Sequence, residues 1–276
     1  DWEWARNGGV TISHGWRPER GFLRYRWEGY SEALLLYILA LGSPTNPVPP
    51  ESYAEFTRLY RWIRLYGTEY LHAGPLFIHQ TPHVWLDLGG IQDRYMRNKG
   101  IDYFENSRRA TLIQREYARR NPRGHANYSA NSWGITASDG PGPSTRRESG
   151  RTRRYYGYRA RGVPWGVDDG TLSPWAVATS MPFAPEIVLE ALRHRVSTRH
   201  ESAAKPDHHC SVNHSFTGGK PEQCWVSRSR WAIDQGPVVL MLENYRTGLI
   251  WQLMRRSRYL VAGLRQAGFD GGWLSA

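Results

Sequence analysis

From Ser31 onward the chain is written mostly as helical segments cut off by glycine or proline, and no sustained apolar–polar alternation competes with them. A helix is expected from Ser31 to Leu41, with Ser31 as N-cap and Gly42 as stop signal. After the proline-rich turn Pro44 to Pro50, a second is expected from Glu51 to Tyr66, because Tyr53, Phe56, Tyr60, Ile63 and Tyr66 recur at three- and four-residue steps before Gly67. The segment Gly74 to Asp93 is apolar with interleaved histidines, and Pro75 and Pro82 limit any helix there. Asp102 to Arg119 reads as a third clear helix, stopped by Asn121-Pro122. Pro185 opens another to about Arg195; Gly236 to Arg256 is long and apolar with a break near Gly248; Arg258 to Gln266 is the last. Between them, residues 121–183 form a tract of Gly, Pro, Ser and Arg with little periodicity, the kind of segment that inside a compact domain is functional or mobile. Residues 196–230 are polar and irregular. With no internal repeat, heptad or strand array, the expectation is a mainly α-helical single domain over residues 1–276.

Size and composition allow this. A chain of 276 residues with 40% hydrophobic content buries one sizeable core without disulfides or metals. The longest apolar run, Ala33 to Leu41, falls well short of the ~20 residues that span a bilayer, so no membrane span is expected. The start, Asp1-Trp2-Glu3-Trp4, has neither an initiator Met nor a basic-then-apolar leader, so a processed form and a fragment are both open. Cys210 and Cys224 make no disulfide framework; they either pair across their short loop or stay free, and they leave the compartment undecided. The net charge of +11 is concentrated in Arg146, Arg147, Arg151, Arg153, Arg154, Arg159 and Arg161. That run is rich in Ser, Gly and Tyr and carries no zinc-finger, RNP or homeodomain pattern, so it reads as an exposed basic loop rather than a nucleic-acid footprint. Thirteen Trp and sixteen Tyr exceed what packing alone requires, and flat rings with a polar edge suit sugar faces.

Glu105, in Asp102-Tyr-Phe-Glu-Asn-Ser-Arg-Arg, has Arg108 and Arg109 three and four residues on, along one helix face. Spacing alone allows an ordinary surface ion pair or a carboxylic acid at the mouth of a pocket flanked by Tyr103 and Phe104. Other acids stand beside aromatic residues or glycine: Glu28 and Glu32 around Tyr30, Asp87, Asp93, Asp139, Asp168-Asp169, Asp234 and Glu243. Glycosidic cleavage needs two such groups, one to protonate the leaving oxygen and one to activate water or attack the sugar. His79 and His83 have metal-ligand spacing, but Pro82 and the absence of an intervening Glu favour a structural or sugar-bonding role. His208, His209, Cys210, His214 and Cys224 match no standard zinc spacing, Asp139-Gly-Pro-Gly-Pro-Ser lacks the lysine of a phosphate loop, and there is no Gly-x-Ser-x-Gly elbow. No metal and no cofactor is expected.

Several segments together resemble the glucoamylase-like (glycoamylase) domain family, which includes bacterial β-1,2-glucanases and a module of cyclic β-1,2-glucan synthases. They include Tyr25-Arg-Trp-Glu-Gly-Tyr-Ser-Glu-Ala, Leu39-Ala-Leu-Gly-Ser-Pro-Thr-Asn-Pro-Val, Phe77-Ile-His-Gln, Gly90-Ile-Gln-Asp and Asp102-Tyr-Phe-Glu-Asn-Ser-Arg-Arg-Ala-Thr. Further along come Trp133-Gly-Ile-Thr-Ala-Ser-Asp-Gly-Pro, Tyr158-Arg-Ala-Arg-Gly, Asp168-Asp-Gly-Thr, Pro182-Phe-Ala-Pro-Glu, and Ile233-Asp-Gln-Gly-Pro through Glu243-Asn-Tyr-Arg-Thr-Gly-Leu. The resemblance implies an (α/α)₆ toroid whose long irregular loops wall a cleft, with N-terminal toroid helices lying outside this chain if the toroid is incomplete. It implies hydrolysis of a β-glucan, most plausibly β-1,2-linked, with glycosyl transfer or non-catalytic glycan binding as the alternatives. It makes Glu105 the general acid and Asp139 or Asp234 the base. It assigns Trp27, Glu28, Tyr30, Glu32, His79, Asp93, Arg108, Trp133, Asp169 and Gln235 to substrate binding. An inverting pair would stand ~6.5–9.5 Å apart and a retaining pair ~5–5.5 Å. The expected partner is a glucan oligosaccharide or polysaccharide, and the resemblance leans towards a periplasmic or secreted setting. The Ser-, His- and Lys-rich stretch Arg195 to Gly219 departs from the family's Gly- and aromatic-rich cleft segment.

Overall fold

The structure, a computed structural model, describes residues 1–148, 150–197, 211–217 and 224–275. Among them are eleven α-helices: α1 Trp2–Arg6, α2 Ala33–Leu41, α3 Pro50–Arg58, α4 Leu76–Trp85, α5 Arg94–Lys99, α6 Tyr103–Arg120, α7 Pro174–Thr179, α8 Pro185–Ser197, α9 Ala232–Thr247, α10 Leu249–Arg255 and α11 Arg258–Gln266. The chain is helix-rich, as expected, and the strands between the helices form only two- and three-stranded pieces.

Helix boundaries follow local chemistry. Asp102 caps α6 by accepting the Glu105 N–H at 2.7 Å, and Asn121 ends it in the left-handed region. Gly248, also left-handed, separates α9 from α10, at the break expected there. Glu32 rather than Ser31 stands at the N-cap of α2, and the buried Ser31 hydroxyl makes no hydrogen bond among the described residues.

The expected helix from Glu51 to Tyr66 ends early. Helix α3 stops at Arg58, and Trp62–Leu65 pairs antiparallel with Thr68–Leu71. Tyr66 (φ 52°) and Gly67 (φ 83°) both take positive φ, which makes the tight two-residue turn of a hairpin. Apolar spacing alone did not distinguish Ile63 on a helix face from Ile63 on a strand. Conversely, helix α4 forms across the proline-bearing segment, with Pro75 as its N-cap and Pro82 inside.

The tract 121–183 is also structured. It carries the hairpin Ser144–Glu148 with Arg151–Tyr155, the short pair Ala137–Ser138 with Arg159–Ala160, strand Thr171–Leu172 and the buried helix α7. The arginine-rich run is thus a hairpin and not a loop, and its last member, Arg161, is fully buried.

Among the described residues two large cores and a small cluster of Val84, Phe183 and Met241 hold the molecule. One gathers α2, α3 and α11 around Leu34, Tyr37, Phe56 and Leu264; the other gathers α6, α7 and α8 around Ile113, Tyr117, Trp175 and Val188. Helices α2 and α11 meet at Gly42 and Gly263: a Cβ on Gly263 would come within 2.0 Å of the Ile38 carbonyl oxygen. Helix α6 ties the hairpin and the irregular tract to the second core through two buried amides. Asn106 accepts from the Leu71 N–H at 2.7 Å and donates to its carbonyl at 3.3 Å; Gln114 accepts from Ile135 N–H and donates to its carbonyl, both at 3.0 Å. Each amide satisfies both backbone groups of one residue, as a neighbouring strand would.

Candidate active site

Three acids from distant parts of the chain lie near enough to Tyr158 for their charges to act on its phenol. Ser138 pairs with Arg159, so one step further on that register sets Asp139 opposite Tyr158. Asp139 Oδ2 accepts from Ser227 Oγ at 3.1 Å and from Trp231 Nε1 at 3.0 Å, which fixes the carboxylate's orientation. Asp234 lies in the first turn of α9, three residues past Trp231, and is buried. Glu32 arrives at the N-terminus of α2. Partial burial raises the Tyr158 phenol above its usual pKa, and the negative charges of Asp234, Glu32 and Asp139, in that order, raise it further.

Glu32 is partly buried. Burial raises its carboxyl above the usual range, opposed by a backbone N–H and by the nearby His14. His14 stacks on Trp27 with ring centroids 4.0 Å apart. Neighbouring Glu28 is exposed and accepts from Thr11 Oγ1 at 3.0 Å. Tyr30, half-buried, meets His79 and Tyr60 edge-on and has Asn106 and Ser107 as hydrogen-bond partners. Gln235 follows Asp234 on α9, its N–H bonded to the Trp231 carbonyl.

Glu105, on α6, is partly exposed. Its Oε1 accepts from Arg109 at 2.9 Å and its Oε2 stands 3.5 Å from Arg108, while Arg109 also holds the Glu69 carbonyl. The two rings expected beside it turn away: Tyr103 is fully buried and bonds Asp93 at 2.7 Å, and Phe104 packs against His83, Phe183 and Trp251.

Four further expected sugar contacts lie inside the protein. Asp93 is buried, bonded by Tyr53 and Tyr103 at 2.7 Å each and to the Met96 N–H at 2.8 Å. His79 is buried beside the Ala73 carbonyl and Asn106, and burial pushes its pKa down to about 3. Asp169 is locked to Arg161 by two 2.8 Å bonds, both side chains wholly buried. The Trp133 ring is buried too, and its N–H finds no hydrogen-bond acceptor among the described residues.

His14, Tyr158, Ser227 and Trp231 were not singled out from the sequence. Tyr158 opens one of the resembling segments and is 72% exposed, but nothing local says that it faces three acids. Of the residues considered for zinc, His208, His209 and Cys210 lie outside the described residues; His214 and Cys224 are partly buried.

Comparison with known proteins agrees with the arrangement of helices and loops. Residues 24–258 match the Glycoamylase family model, described as "Putative glucoamylase", and the chain belongs to that family. The exo-β-1,2-glucooligosaccharide sophorohydrolase of Parabacteroides distasonis is 26% identical over 92% of this chain, which spans 36% of that protein. A solved endo-β-1,2-glucanase from Chitinophaga pinensis, in complex with sophorotriose and glucose, is 31% identical with a TM-score of 0.76, covering 98% of this chain and 62% of its own. A solved glucoamylase-type protein of Bacteroides uniformis is 31% identical with a TM-score of 0.83 over 99% of this chain and 63% of its own. The chain therefore spans about a third to under two thirds of the length of these relatives.

Proposed function

We propose that this chain carries the cleft of a glycoside hydrolase that cleaves a β-glucan, with β-1,2-linked glucan the favoured substrate. In this reading it forms a single unit, residues 1–276, of an (α/α)₆ toroid, and its partner is a glucan oligosaccharide or polysaccharide. The observation that carries the reading is the gathering of Glu32, Asp139 and Asp234 around Tyr158. The names of the family's solved and curated relatives supply the linkage.

Hydrolysis of a glycosidic bond needs one carboxyl group that holds its proton and a second that is ionised. Glu32, raised by burial, fits the first role, protonating the departing sugar oxygen. Asp139, oriented by Ser227 and Trp231, and Asp234, in the first turn of α9, are the candidates for the base that activates water. The stacked His14 and Trp27 offer an apolar face to a sugar ring beside Glu32. Glu105, the acid implied by resemblance, has its oxygens taken by two arginines, so it fits orienting a wall of the cleft better than proton transfer.

The test compares oligosaccharide release from linear β-1,2-glucan by wild type, Glu32→Gln and Glu105→Gln. General acid catalysis contributes about 10²–10⁴-fold, so Glu32→Gln is expected to lower kcat by that order and Glu105→Gln by much less. The reverse ranking would move the acid back to Glu105. A chain that binds the glucan without ever cleaving it would leave a glycan-binding domain instead.

A further inference from the structure

The N-terminal hairpin carries rings that no core uses. Trp16 and Arg17 pair with Phe22 and Gly21, and Ser13 bridges Arg26 further along. Helix α1 lies against this hairpin: the Ala5 carbonyl accepts the Ser13 N–H at 2.9 Å, and Arg26 donates to the Thr11 carbonyl at 3.1 Å and also reaches the Arg6 carbonyl. Trp2 and Ala5 pack one side of α1 on the first core. Trp4 is left outside, where its ring centroid lies 4.7 Å from that of Phe22 and 5.9 Å from that of Trp16. None of these three rings belongs to a core cluster among the described residues, and Trp4 and Trp16 remain 53% and 47% exposed.

The trio is held in place and leads towards the acids. Gly9 lets the Arg26 guanidinium close α1 onto the hairpin, since a Cβ there would overlap it. His14, stacked on Trp27, stands two residues from Trp16 on one arm of the hairpin, so their Cα atoms are at most about 7 Å apart. The residue between them is Gly15, which puts no side chain between the two ring groups. His14 is in turn close enough to Glu32 for its charge to act on that carboxyl. Rings therefore run outward from Glu32: Trp27 with His14, then Trp16 with Phe22 and Trp4. The charges beside Trp4 answer each other, Glu3 with Arg6 at 2.7 Å. Half-exposed indoles in such a setting suit the face of a neutral sugar ring.

We propose that Trp4 and Trp16 form an outlying glucan subsite, stacking on sugar residues of a chain that continues over His14 and Trp27 to Glu32, so that long glucans are held better than short ones. The proposal rests on the reading of Glu32 and its companions as the cutting site and adds a remote hold on the polymer.

Kinetics of wild type, Trp4→Ala, Trp16→Ala and Trp16→Phe on linear β-1,2-glucan, and on the shortest β-1,2-linked oligosaccharide that wild type cleaves, test it. Loss of one stacked ring is expected to raise KM for the polymer about 3–10-fold, with kcat falling less than KM rises and the rise confined to the long substrate. Trp16→Phe, which keeps a flat ring opposite Phe22, is expected to restore most of the loss. The proposal is overturned if Trp4→Ala and Trp16→Ala, both folded by circular dichroism, keep the wild-type KM for the polymer, or if KM rises equally for long and short substrates. Electrophoresis through gels containing the glucan separates this from a failure of the cutting site. If wild type releases no sugar, retardation that is lost in Trp4→Ala and Trp16→Ala supports the subsite alone. Retardation that is absent in wild type, or equal in all three, overturns it.

Discussion

At the scale of single residues, the sequence offered more acids than the chemistry needs, and burial sorts them. Glu32, Glu105 and Asp169 are all carboxylates near aromatic residues, yet one is desolvated, one is held by surface arginines and one is sealed to a buried guanidinium. If Glu32 is the proton donor, its raised pKa carries the protonated, active form to higher pH. Glucan-cleaving rate should then fall as pH rises through that value, and His14→Ala, which removes the charge that lowers it, should move this basic limb upward in a pH–rate profile. Asp169 is the opposite case. Burial would raise its carboxyl, but Arg161, with the Thr171 and Tyr156 N–H groups, holds it below the usual range. Asp169→Asn leaves Arg161 buried without its counter-charge and should cost about 3–5 kcal/mol in urea unfolding. A loss below about 1 kcal/mol would mean that water reaches Arg161 in solution.

At the scale of elements, helix ends were legible where a capping residue or an αL stop writes them locally. Asp102 and Asn121 bound α6, Pro185 opens α8, and Gly248 parts α9 from α10. The hairpin Trp62–Leu71 was not legible, because aromatic and branched residues at three- and four-residue spacing satisfy a helix pattern until Tyr66 and Gly67 fix the turn. What holds that hairpin and the segment near Ile135 is side-chain pairing from α6, which no local pattern reveals. Gln114→Leu keeps the size and strands the Ile135 N–H, while the Ile135 carbonyl loses one donor but keeps the Leu76 N–H, at about 1–3 kcal/mol for the buried unpaired group. A thermal midpoint equal to wild type would show that this group finds another partner.

At the scale of the whole molecule, burial of neutral histidines couples stability to pH. His79 and His83 are both fully buried and pushed by burial from 6.5 down to about 3. Below pH 6.5 the unfolded chain takes up protons that the folded one refuses, so the unfolded state gains. Stability should therefore fall as pH drops from 6.5 towards 3, by up to ~1.4 kcal/mol per unit for each imidazole. Asp169, whose pairing is lost on protonation, acts in the same direction at lower pH. Guanidinium unfolding at pH 7 and pH 5 measures it, and a flat profile would place these rings in contact with water. The same assembly separates the basic hairpin's functions: Arg161 neutralises Asp169 inside, while Arg153 and Arg154 line a concavity.

By itself the sequence determined the helix-rich class, the ends of the helices that caps and stops mark, and the family, since these depend on residues a few positions apart or on segments matched one by one; the short helices α1, α5 and α7 were not legible. It also named Asp139, Asp234 and Glu32 among its acids, and left Glu105 foremost. Only the tertiary structure decided which acids meet. The pairing of Ser138 with Arg159 and the positions of α2 and α9 put the charges of Glu32, Asp139 and Asp234 within electrostatic reach of Tyr158. A carboxyl group's protonation depends on the desolvation and charge around it, and those are properties of the packed neighbourhood rather than of the order of residues along the chain.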